Sequence, residues 1–156
     1  MNRNEKLSEH FTLGELIRSE TAERKGINNT PPVEIIEKLK RLCEELLEPV
    51  RIHYGVPFRP NSGYRSVALN SEIGGSAKSQ HCKGEAVDIE IPGVSNYDLA
   101  KWISENLAYD QVILECYHQG VPNSGWVHVS LKSDVGENRQ VALTYSNRQY
   151  MTGLIA

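Results

Sequence analysis

The chain has 156 residues, of which 39% are apolar and 24% charged, and its formal net charge is −3. That size suits one domain, 1–156, with a sizeable core. The near-neutral balance excludes the strongly basic surface of a nucleic-acid binder and the polybasic anchor of a membrane-surface protein. No apolar run reaches the roughly 20 residues needed to cross a bilayer. The N-terminal stretch MNRNEKLSEHF is polar and lacks a hydrophobic signal core, so the chain is expected to be cytoplasmic as synthesised.

In chain order, FTLGELIRSETA opens a short helix, with Thr12 as cap and Glu15 completing a capping box. NNTPPVEIIEKLKRLCEELLEPVRIHYG predicts the main helix, capped by Thr30 with Pro31 in its first turn. Ile35, Leu39, Leu42, Cys43, Leu46 and Val50 form its apolar face. Pro49 predicts a kink or early end, and Gly55 a stop. VPFRPNSGYRS reads as a short strand and turn, and SVALNSEIGGS as a short helix ended by Gly74 and Gly75. EAVDIEI alternates with period two and predicts a strand. SNYDLAKWISENLAY predicts a second amphipathic helix capped by Ser95. DQVILEC, GWVHVS and QVALTY are three further strands; the last ten residues carry no clear signal. Helices first, then strands with one inserted helix, predict an α+β fold with a mainly antiparallel sheet.

The odd cysteine count argues against a complete disulfide framework. Cys43 falls on the apolar face of the main helix and reads as a small core residue. Cys82 and Cys116 either pair or stay reduced, and reduced thiols are the expectation.

Strand faces bring the chemistry together. Val87 and Ile89 claim the core, which turns Asp88 the other way; Val127 and Val129 do the same for Trp126, His128 and Ser130. If the two strands are neighbours, Asp88 and His128 share a face at roughly 5 Å. His81 precedes Asp88 with Gly84 between them, and a bend there returns it toward the carboxylate. Two imidazoles and one carboxylate leave a tetrahedral Zn2+ one ligand short, as in catalytic rather than structural zinc sites. The competing readings are a surface histidine and a solvated aspartate.

The pattern Ser79-x-His81-x-x-Gly84-x-Ala86-x-Asp88 followed by Trp126-x-His128 resembles the zinc-dependent D-Ala-D-Ala carboxypeptidase group, peptidase family M15. FTLGELIRSETA, INNTPP, SGYRS, LNSEIGGSAKSQH and GWVHVS extend the likeness to its phage- and prophage-type murein peptidases, from Phe11 to about Tyr145. The resemblance implies a Hedgehog/DD-peptidase-like fold, with helices packed on an antiparallel sheet that carries the zinc. It implies His81, Asp88 and His128 as zinc ligands and Gly84 as the bend between the first two. Ser79 would orient the ligand loop, and Arg65, helped by Ser62, would hold a substrate carboxylate; the bland reading of Arg65 is a structural salt bridge. Many relatives carry an acid three residues before the last histidine, where this chain has Gly125. Glu115 is the best substitute as general base, with Glu85, Glu90 and His118 as rivals. Trp126 either lines the cleft or covers the sheet edge. The implied activity is hydrolysis of amide bonds in peptidoglycan stem or cross-link peptides by a monomer released to the wall through a phage lysis system. The alternative is a non-catalytic zinc-binding module that binds cell-wall or protein ligands.

Overall fold

A computed structural model describes residues 2–133 and 135–155. The helical layer comes first. Helix α1 (Leu13–Ile17) starts at the expected capping box, in which Thr12 accepts from the Glu15 amide and Glu15 accepts from the Thr12 amide. Helix α2 (Glu20–Lys25) is capped by Ser19 and closed by Gly26.

The main helix begins at Val33, later than expected, with Pro32 at its cap and no side-chain cap from Thr30. Pro31 is followed by a second proline, which disfavours helical backbone at Pro31 itself. The helix then runs as α3 (Val33–Leu42), a π-helical turn (Cys43–Leu47) and α4 (Glu48–Tyr54). Pro49 does not end it. The wide turn just before lets the Glu48 amide bond to the Cys43 carbonyl, and the proline sits in the first turn of α4, where no amide is required. Gly55 stops the helix in the left-handed conformation, as expected. Leu39, Leu42, Cys43, Leu46, Leu47 and Val50 are fully buried on one face, each large aliphatic side chain contributing about 1.5–3 kcal/mol on burial. All three cysteines are free, and burial pushes the Cys43 thiol well up, so it behaves as a core residue.

Helix α5 (Val67–Glu72) is short and capped by Ser66; α6 (Asn96–Asn106) is capped by Ser95 and buries Leu99, Ala100 and Ile103. The strands are β1 (Ala86–Ile89), β2 (Gln111–Glu115), β3 (Trp126–Ser130), β4 (Val141–Ser146) and β5 (Gln149–Thr152), in the sheet order β1-β3-β2-β4-β5. The α+β class holds, but the sheet is mixed rather than mainly antiparallel, because β2 and β4 run parallel. The cause is a short return across the start of β2. Asp110, 0% exposed, accepts from the Arg139 amide at 3.0 Å and grips its guanidinium at 2.9 and 2.7 Å. The Val141 amide bonds to the Asp110 carbonyl at 3.1 Å. Strand β4 is therefore launched from the same end as β2. Residues 56–62 form no strand; only Ser62 bridges to Asp88.

Val87, Ile89, Val112, Leu114, Val127 and Val129 meet the helices in one core. The opposite face of the sheet is left to Asp88, Ile113, Glu115, Trp126 and His128.

Candidate metal centre and cleft

Antiparallel pairing sets Asp88 directly opposite His128, and His128 opposite Ile113. His81 arrives from a single 3-10 turn, Gln80–Lys83. The Ser79 hydroxyl caps that turn by accepting from the His81 amide at 3.2 Å. Gly84 closes it at φ +70°, where an added Cβ would press on Ile35, so the bend is a backbone necessity. The donor atoms of His81, Asp88 and His128 all lie within 4.8 Å of one another. The Asp88 carboxylate stands 3.3 Å from His81 Nε2 and 3.0 Å from His128 Nδ1.

Second contacts fix these side chains. His81, 4% exposed, donates from Nδ1 to the Gly63 carbonyl at 2.8 Å, which turns Nε2 toward Asp88. The Asp88 amide donates to the Ser62 carbonyl at 2.8 Å. Burial alone would raise the Asp88 carboxyl; the hydrogen bonds from His128 and His81 outweigh it and hold the group well below the usual carboxylate range. A deprotonated carboxylate between two imidazoles, with a fixed tautomer on one of them, is a donor set that fits a zinc-like divalent ion with one position left open.

Arg65 stands beside this set, with Nη2 at 3.6 Å from Asp88 Oδ2. Its Nε donates to Ser62 Oγ and its Nη1 to Asn70 Oδ1, both at 3.2 Å. The guanidinium is thereby aimed along the cleft wall. Glu115 lies at the end of β2, opposite Trp126, whose Nε1 donates to Glu115 Oε2 at 2.8 Å. Burial raises the Glu115 carboxyl, His128 lowers it, Asp88 raises it again and Trp126 lowers it, with a net rise. Both residues line a cleft of about 630 Å³ that also takes in His81, Asp88, His128 and Arg65. Trp126 thus faces the cleft rather than capping an edge.

The rival bases lie elsewhere. Glu85 is buried and bonded to Ser133, Glu90 binds Asn61 and Asn96, and His118 sits in the exposed turn between β2 and β3. Among the described residues, Asp88 and Glu115 are the carboxylates that line this cleft.

Gly125 has a physical reason to be glycine. Its φ is +67°, and an added Cβ would overlap the Glu115 carbonyl and the backbone of Cys116 and Tyr117. Asn96 holds the same turn by donating to the Ser124 and Gly125 carbonyls. An acid at position 125 would break the pairing that places Glu115. Gly125→Ala is expected to cost more than about 2 kcal/mol, read as a fall in the denaturant midpoint; an unchanged midpoint would contradict the close approach.

Three contributors were not singled out in the sequence. Asn70 and the Gly63 carbonyl orient Arg65 and His81, and Tyr150 lines the cleft from β5. Gly63 could have been suspected from its place in SGYRS; its own Cβ position is blocked by the Leu16 carbonyl.

The peptidase M15 family profile matches residues 9–130. The chain belongs to peptidase family M15. No curated protein matches it. Membership makes this chain a peptidase of the M15 type, and the matched span contains all three residues of the candidate metal centre together with Arg65, Glu115 and Trp126.

Proposed function

We infer that the protein is a zinc-dependent M15 peptidase that hydrolyses amide bonds in the stem or cross-link peptides of peptidoglycan. The observation that carries this reading is the joint placement of His81, Asp88 and His128 around one point, with Glu115 and Arg65 facing the same cleft. His81 Nε2, an Asp88 carboxylate oxygen and a His128 ring nitrogen would hold the ion. Zinc bound there supplies Lewis acidity that polarises an amide carbonyl and acidifies water.

The chain's own groups do the rest. Glu115, with its carboxyl raised by burial and steadied by Trp126, accepts a proton from water and returns it to the departing amine. Arg65 binds a free carboxylate of the substrate and so fixes the scissile bond against the centre. D-residue peptides with free carboxylates suit that anchor. The α+β layering and the cleft on the open sheet face support a DD-peptidase-like fold. No helix among the described residues is long and apolar enough to cross a membrane. Access to the wall would come from a lysis system, with the protein acting as a monomer.

Digestion of purified peptidoglycan followed by mass spectrometry of the fragments tests the reading, and intact peptides after incubation with zinc-loaded protein would refute it. Arg65→Ala is expected to raise KM by about tenfold or more on substrates with a free carboxylate. Bound zinc should stay stoichiometric, because Arg65 supplies no metal donor. An equal effect on a carboxylate-free substrate would assign Arg65 to structure instead.

A non-catalytic zinc-binding module is the second reading, favoured by the glycine at position 125. The carboxylate that Glu115 brings to the cleft weighs against it.

A further inference from the structure

The cleft has two unlike ends, and the sheet register defines them. Across the row at Glu115 lie Trp126 on one side and Tyr145 and then Tyr150 on the other. That end is aromatic and holds the general base. The opposite end is basic. Past Ser130 the alternation of β3 continues: Leu131 is buried, and Lys132 returns to the cleft. Lys132 lies four residues beyond His128, so it stands about 13 Å away along an extended chain. Lys83 reaches the same end from the 3-10 turn. The two segments are tied together, since the Leu131 amide donates to the Glu85 carbonyl at 2.8 Å and the Ser133 amide to the Glu85 carboxylate at 3.0 Å. Lys78 lines the cleft as well.

Two acids near this end, Glu85 and Asp110, are already engaged. Glu85 is bonded to Ser133, and Asp110 is held by Arg139 and Gln80. Among the described residues Lys78, Lys83 and Lys132 make no ion pair, although the chain as a whole carries net negative charge. Unpaired ammonium groups lining one cleft repel one another until an anion enters.

The geometry points to a second carboxylate subsite at the Lys83–Lys132 end, taking an acidic residue of a peptide within about four extended residues of the metal centre. With Arg65 beside Asp88, the cleft then grips its substrate by two carboxylates, one close to the scissile bond and one remote. This inference rests on the peptidase reading for the identity of the substrate.

The test is a binding titration on the full chain bearing Glu115→Gln, loaded with zinc, at low ionic strength. The probes are a soluble stem tetrapeptide with free side-chain carboxylates and the same peptide amidated at those positions, each keeping its C-terminal carboxylate. The free acid is expected to bind about tenfold more tightly. Adding Lys83→Met and Lys132→Met should abolish that preference and leave the affinity for the amidated peptide and the zinc content unchanged. Equal binding of the two probes, binding of neither, or a preference that survives the double substitution would overturn the subsite. A loss of affinity for both probes alike would do so too. Hydrolysis by the unsubstituted chain is scored separately. A preference without hydrolysis retires the peptidase reading and leaves the subsite standing.

Discussion

Glu115→Gln is expected to retain one equivalent of zinc and to lose about 10²- to 10⁴-fold in kcat, with little change in KM. The amide keeps the shape of the side chain and can still accept from Trp126 Nε1, so the fold and the aromatic end of the cleft are preserved. What disappears is the ability to take a proton. The pH profile gives an independent readout. Burial raises the Glu115 carboxyl, with the contributions of His128, Asp88 and Trp126 leaving a net rise. The base is therefore lost by protonation at a higher pH than for a solvated glutamate, as pH falls. The acid limb of kcat/KM should lie above the ordinary glutamate value of about 4.3, and it should be missing from the residual activity of the glutamine form. Full activity in Glu115→Gln would transfer the base to another group or to none.

Asp88→Ala should have the other large effect: loss of stoichiometric zinc and of activity by more than about 10³-fold, since on the proposed reading the metal would supply both the polarisation and the acidified water. The substitution removes the one carboxylate of the set and leaves two imidazoles with no anionic partner between them. The fold should survive, because the Asp88 backbone keeps its bond to the Ser62 carbonyl and its pairing with His128 in the sheet. Metal analysis after dialysis, together with a far-ultraviolet circular dichroism spectrum, reads both parts. A folded Asp88→Ala protein that still carries one zinc and still cleaves would remove Asp88 from the metal centre.

Much of this site was legible in the chain because period-two alternation is a strong signal on a half-buried sheet. Val87, Ile89, Val127 and Val129 claimed the core, and that alone turned Asp88 and His128 to one face. The same rule holds in β2, where buried Val112 and Leu114 turn Glu115 to that face. The spatial neighbourhood of β1 and β3 was a condition rather than a reading, since register is a tertiary fact. Three things were hidden for identifiable reasons. The parallel β2–β4 pair goes with the bond from half-exposed Arg139 to buried Asp110, a contact between residues far apart in the chain. The passage of the main helix through Pro49 depends on a local π turn that no periodicity announces. The orientation of Arg65 by Asn70, and of His81 by a backbone carbonyl, involves polar groups whose sequence context is that of any loop or short helix. Tyr150 came from a stretch without amphipathic pattern; β5 is exposed along its length and so leaves no alternation to see.

The parallel junction between β2 and β4 also bears on how this scaffold can diversify. The strands β1, β3 and β2 alone supply Asp88, His128 and Glu115, and the β4–β5 hairpin joins them along a single outer seam. Exchanging the side chains that this hairpin turns to the groove would therefore re-cut one rim, while the residues that would hold the ion, on β1, β3 and the 3-10 turn, stayed as they are. Selection for new substrates could act on that rim without rebuilding the candidate metal centre.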